Sequence, residues 1–231
     1  MIALALLLSE PIVMPPPSVR PPMATSRAPA RLAFDVDAQR YAMPVPTGYC
    51  TARNLPAMYT EDTVNEAGVI LAKLAFVFLC ETIGKGPNDQ DFIYLKYLKN
   101  YRTRFADRAE FISATAAKFA SPEYLKQRES EEFSDDVERN TERDTGAKVE
   151  ADISGVALGH DDACIYTGSR MTITATAERE TITILTVTCT TMINGRIVTA
   201  DIASRADRGF DFDALIPRLK QAVETIEPVG M

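Results

Sequence analysis

The chain has 231 residues, 46% of them hydrophobic and 25% charged, with 11 glycines and 14 prolines, a composition that excludes collagen, coiled coil and wholesale disorder. A chain of this size, enough for one large domain or two small ones, hides about 70% of its unfolded surface on folding and can bury a sizeable core. One histidine and no tryptophan leave few ingredients for metal or acid-base chemistry, and a net charge of -7 argues against a general polyanion binder, because duplex binding relies on Lys and Arg neutralising phosphates.

The charge is unevenly placed. Glu129 to Asp144 holds eight carboxylates against Arg139 and Arg143, a net of -6, so the remainder is close to neutral.

The N-terminus opens with Met1 and seven apolar residues, Ile2 to Leu8, followed by Ser9, Glu10 and Pro11. This reads as an atypical export leader with no preceding basic residue, and Ala28-Pro29-Ala30 offers a cleavage motif; the alternative is a short disordered tail. Nine of the fourteen prolines fall between Pro11 and Pro46. Met14 to Arg31 has no apolar period, so it cannot bury enough surface to offset its ordering entropy. Residues 1–31 are therefore read as a leader and Pro-rich tether, and residues 32–231 as a single α+β domain.

From Thr60 the pattern predicts a helix capped by Thr60 or Asp62, with Val64, Ala67, Leu71, Leu74 and Phe78 on one stripe. Val69, Ile70, Phe76 and Val77 make its other sides apolar, which predicts a buried core helix through Cys80 that ends at Gly84, Gly86 and Pro87. The run Val69 to Cys80 carries Lys73 and is too short to span a bilayer, which takes ~20 apolar residues. Asp91 to Leu98 favours a strand over a helix through Phe92, Ile93, Tyr94, Leu95 and Tyr97. Asp107 starts a helix through Phe119, with Phe111, Ile112, Thr115 and Phe119 facing inward. Ser121-Pro122-Glu123 starts another, with Pro at its first position; it carries the acidic run to Asp144 or Thr145 and stops at Gly146.

Beyond Lys148 the apolar period changes from 3.6 to 2. Strands are predicted from Val149, Ala151 and Ile153, at Ala163 to Thr167, at Met171 to Ala177, at Thr181 to Ile193 and at Arg196 to Ala203. Asn194-Gly195 joins the last two, a strong hairpin signal because both residues accept positive φ. A closing helix from Asp213 to Ile226 carries Leu215, Leu219, Ala222, Val223 and Ile226 on its buried stripe, with Pro217 in its first turn. The expected class is α+β: a mainly antiparallel sheet covered by helices, with a largely helical middle segment.

Cys50, Cys80, Cys164 and Cys189 are even in number, with no Cys-x-x-Cys pair and no histidine at zinc spacing, so neither a metal site nor a cofactor is assigned. Four cysteines allow three pairings. Cys50 with Cys80 and Cys164 with Cys189 is preferred because each pair closes a loop of about 25 to 30 residues within one structural subunit. Bonded cysteines place the protein in the periplasm or outside the cell; four buried thiols in a cytoplasmic protein are the alternative.

The ending Thr181 to Ile226, with its long strand, Asn-Gly turn, second strand, acidic loop and amphipathic helix, resembles the C-terminal half of the PsbP-like α/β/α sandwich of bacterial envelope proteins. Met43-Pro44-Val45-Pro46 followed by Gly48-Tyr49-Cys50 resembles the Val-Pro segment with which such domains begin. The resemblance implies a binding or accessory factor and carries over no catalytic residue.

Three places carry chemistry-bearing residues. Lys96, Lys99, Arg102, Arg104 and Arg108 interleave with Tyr94, Tyr97, Tyr101 and Phe105 in a stretch without acids from Phe92 to Ala106. Lys96, Lys99, Tyr101, Arg102, Arg104 and Arg108 are taken as the candidate contact surface for an envelope protein or anionic polymer. An intramolecular partner, the acidic run, competes for them. His160, in Gly159-His160-Asp161-Asp162-Ala163-Cys164, could serve a hydrolase or transferase with Asp161 or Asp162, or pair with Cys164 as a nucleophile; turn composition favours a turn histidine. Asp207, Asp211 and Asp213 could hold Ca²⁺, although helix capping explains them more simply. The function expected is non-catalytic binding or support in the cell envelope.

Overall fold

The computed structural model describes residues 30–51, 60–64, 69–83, 91–128, 134–135, 137–139, 141–142, 146–176 and 181–229. The leader, nearly all of the Pro-rich tether, Gly84, Gly86, Pro87 and most of the acidic run lie outside them.

Eleven strands and three α-helices with defined bounds follow in order: β1 (Arg31–Val36), β2 (Gln39–Pro44), β3 (Tyr49–Cys50), β4 (Thr63–Val64), β5 (Ile70–Leu79), β6 (Phe92–Leu98), α1 (Arg108–Phe119), α2 (Pro122–Arg128), β7 (Val149–His160), β8 (Ile165–Ala175), β9 (Thr181–Ile193), β10 (Arg196–Arg205), α3 (Phe212–Glu224) and β11 (Glu227–Pro228); residues 134–135, 137–139 and 141–142 are also helical. The large sheet runs β3-β5-β6-β10-β9-β8-β7 with β4 beside β5, and β1-β2-β11 forms a small second sheet. Every pairing is antiparallel.

The two faces of the large sheet follow from the alternation of side chains along each strand. Leu95, Ala200, Cys189 and Tyr166 make one row across β6, β10, β9 and β8. This row is buried against α3, whose Leu215, Leu219, Ala222 and Val223 join the same core, as do Phe34, Val36 and Met43 of the small sheet. The neighbouring row, Tyr94, Asp201, Thr188 and Thr167, faces the other way. On that side α1 covers the sheet with Phe111 and Ile112 against Ile165 and Met192.

The helix expected from Thr60 through Cys80 is replaced by β4 and β5. Ala75 to Leu79 are buried without interruption: Ala75, Val77 and Leu79 join the main core, while Phe76 packs on the other face against the rings of Phe78, Phe92 and Tyr94, and a strand apolar on both faces loses its polar alternation. A register shift between Lys73 and Ala75 disturbs the period further. The largely helical middle therefore reduces, among the described residues, to α1, α2 and short helical turns after them. The strands expected at 163–167 and 171–177 are one strand, β8. Gly168 lies at the join, where a Cβ would come within 2.9 Å of Val156, 3.0 Å of Leu158 and 3.0 Å of Phe212, so its glycine serves close packing and not a turn.

Other expectations hold. Asp107 caps α1 by accepting from the Glu110 amide at 2.9 Å, and Pro122 opens α2. Asn194 and Gly195 take φ of 52° and 70° between β9 and β10. α3 begins earlier than expected, with Asp211 as its cap, accepting from the Ala214 amide at 2.8 Å. Pro217 consequently falls in its second turn.

Both disulfides are present as paired above. Cys50 and Cys80 have Cα atoms 5.0 Å apart, and Cys164 and Cys189 5.2 Å. No cysteine is free.

Candidate functional site

The basic-aromatic stretch spans β6 and the loop that leads into α1. Alternation sends Tyr94 and Lys96 to the sheet face opposite α3. There the Lys96 ammonium lies 5.3 Å from the Tyr94 ring centroid and 2.5 Å from Asp201 Oδ2. Asp201 is itself only 8% exposed, and its second oxygen accepts from the Thr188 hydroxyl at 2.7 Å. The pair is half-buried, with the Lys96 side chain 26% exposed, and the Thr188 hydroxyl satisfies the carboxylate's remaining oxygen. Burial first, and then the Asp201 charge, push the Tyr94 hydroxyl pKa well above its ordinary value.

Lys99 pairs with Asp62 at 3.2 Å, whose hydrogen bond raises the lysine pKa. Arg102 pairs with Asp37 at 2.7 Å. Among the described residues, the acids that pair with these three cations come from β10, the segment before β4 and the β1–β2 turn. Of that run's described carboxylates, Glu138 instead accepts the Ala151 amide of β7 at 2.9 Å.

The loop is pinned at its backbone. Thr103 donates to the Gly195 carbonyl at 2.9 Å, and Arg196 Nη1 donates to the Tyr101 carbonyl at 2.9 Å. The Phe105 ring meets Phe111 edge-on, centroids 5.6 Å apart. Tyr101 remains 52% exposed, Arg104 is exposed and Arg108 half-buried. Arg104 and Arg108 have no acidic partner among the described residues. Of the six candidate contact residues, these three therefore remain uncommitted to internal side-chain pairing.

His160 ends β7, exposed, at a turn that returns through Asp161 to Cys164 into β8. Asp161 is occupied by four donors: the Ala163 and Cys164 amides at 2.9 Å each, the Tyr166 hydroxyl at 3.1 Å and the Lys220 ammonium at 2.7 Å. Burial alone would raise its pKa, but the Lys220 bond and the two amides outweigh it and hold the carboxyl below its ordinary value. Burial and then the Asp161 charge raise the Tyr166 hydroxyl pKa. Asp161 thus organises a turn next to the buried disulfide. Cys164 has no thiol to give a Cys-His pair, so that arrangement is overturned.

Asp211 caps α3, and Asp207 pairs with Arg205 at 2.5 Å, so two of the three loop carboxylates have structural partners. Asp161, Asp162 and Glu224 also approach one another, but Lys220 lies 2.7, 3.9 and 2.9 Å from the three and supplies the countercharge.

Sequence reasoning missed one buried network. Asp91 is 2% exposed, accepts from the Ser204 hydroxyl at 2.7 Å and pairs with Arg208 at 2.7 Å. The partners of its carboxylate lie more than a hundred positions away, and no local pattern announces them. Neither a protein-family model nor a curated protein matches this chain.

Proposed function

We propose that the chain is a non-catalytic, extracytoplasmic α+β protein that binds or supports a partner in the bacterial cell envelope, in the periplasm or secreted. The observation that carries this reading is the commitment of all four cysteines to two disulfides, a state that persists in oxidising compartments and not in the cytosol. The apolar opening Ile2 to Leu8 supports it as a leader. Among the described residues no helix is long and apolar enough to cross a membrane. The hairpin β9–β10 followed by α3 supports a PsbP-like arrangement, a setting for binding and not for catalysis.

The contact surface in this reading is the pinned loop between β6 and α1, with Tyr101, Arg104 and Arg108 as its uncommitted side chains and an anionic polymer or acidic envelope protein as partner. Protein isolated from its native cell, alkylated before any reductant is added, tests the compartment. No labelled cysteine and an N-terminus near the start of β1 are expected; four labelled cysteines overturn the reading.

A further inference from the structure

The two disulfides sit in opposite environments. Cys164 and Cys189 are 0% exposed and lie within the core beneath α3. Cys80 is exposed and Cys50 half-buried. Thiol-disulfide exchange requires the attacking thiolate to reach a sulfur in line with the S–S bond, so access separates exchangeable bonds from structural ones.

The exposed bond fastens the outer edge of the large sheet. β3 is only two residues long and is held to β5 by the pairs Tyr49 with Leu79 and Cys50 with Phe78. The Cys80 amide adds a bond to the Gly48 carbonyl at 2.8 Å. Beyond Cys80, the turn has its own anchor, because Thr82 donates to the Leu79 carbonyl at 2.8 Å and accepts the Asp91 amide at 3.3 Å. Cutting the disulfide would therefore loosen β3 while the turn stays in place. Tyr49, 7% exposed, is the core residue that such loosening would uncover.

We propose that Cys50–Cys80 is a reducible latch on β3, opened by a dithiol reductant of the Cys-x-x-Cys class while Cys164–Cys189 stays closed. A reductant thiolate attacks Cys80 Sγ, on the more exposed residue of the pair; the S–S bond breaks, and Cys50 Sγ leaves as a thiolate that takes up a proton. The reductant's second thiol then loses its proton and attacks the mixed disulfide, forming the reductant's own disulfide and releasing Cys80, which is protonated in turn. Two electrons pass to this chain.

The test uses the full chain in non-denaturing buffer, treated with dithiothreitol or with reduced thioredoxin and quenched with iodoacetamide over a time course. The remaining bonds are then reduced in denaturant, labelled with N-ethylmaleimide and mapped by peptide mass. Cys50 and Cys80 are expected to take the first label at least about tenfold faster than Cys164 and Cys189. Equal rates, or faster labelling of the core pair, overturn the proposal. Hydrogen exchange on the singly reduced protein reads the mechanical part: exchange at the Cys80 amide should rise while α3 keeps its protection. Unchanged protection at Cys80 overturns the latch even where reduction is selective. Either failure leaves the extracytoplasmic reading intact, since that rests on the bonds existing and not on their lability.

Discussion

Asp37 and Arg196, 159 positions apart, meet in a two-point ion pair in which Nε and Nη2 each donate to a different carboxylate oxygen at 2.9 Å. Asp37 sits in the β1–β2 turn at φ 55°, and Arg196 opens β10 directly after the Asn194-Gly195 turn. Arg102 adds a third bond, and Asn194 Nδ2 reaches the Val36 carbonyl at 3.5 Å. One carboxylate thus joins the small sheet, the β9–β10 turn and the loop carrying the candidate contact residues. The Arg196 hydrogen bond holds its pKa below the ordinary carboxylate value.

Arg196→Lys keeps the charge but loses the planar two-point contact. It should cost about 1.5 to 3 kcal/mol, the scale of hydrogen bonds to charged groups, read from urea denaturation. Asp37→Asn retains a residue tolerant of positive φ and should cost a similar amount. A double-mutant cycle that returns no coupling between the two positions would refute the pairing.

Acid should expose the role of Asp161. Because its folded pKa is depressed, its contribution is fully present above the unfolded value near 4 and is lost as pH falls through the folded one. Urea midpoints followed from pH 6 down to pH 2 should fall more steeply in wild type than in Asp161→Asn, with the difference confined to the region below about pH 4. Parallel curves would show that the carboxylate is unperturbed.

Gly168→Ala should destabilise by about 1 to 3 kcal/mol through overpacking, since its Cβ would contact three side chains at once. Thermal denaturation measures this, and Gly168→Ala combined with Val156→Ala should recover part of the loss. A neutral single substitution would mean that the β7–β8–α3 contact is looser than the structure shows.

Replacing Cys164 and Cys189 together by alanine should cost about 3 to 4 kcal/mol through loop entropy, with a further loss from vacating a core site. Cys50→Ser with Cys80→Ser opens a slightly longer loop, 30 residues against 25, yet should cost less because nothing in the core is emptied. Equilibrium unfolding of the two double variants compares them directly, and the reverse ranking would contradict the burial difference.

Sequence alone determined the elements whose signals are local. Asp107 caps a helix because a carboxylate one turn ahead of free amides is a short-range bond, whereas between Asp211 and Asp213 only the structure chose the cap. Asn194-Gly195 turns the chain because both residues tolerate positive φ. The stripe Leu215, Leu219, Ala222 and Val223 faces the core because a helix repeats every 3.6 residues, and the cysteine pairing follows the shorter loops. Tertiary structure decided the rest. Whether Ile70 to Leu79 is helix or strand depends on its pairing with β6, β3 and β4, and an apolar run erases the period that would distinguish the two. The partners of Lys96, Arg102, Asp91 and Asp161 come from strands and helices distant in the chain, and such pairings exist only once the sheets have set the register.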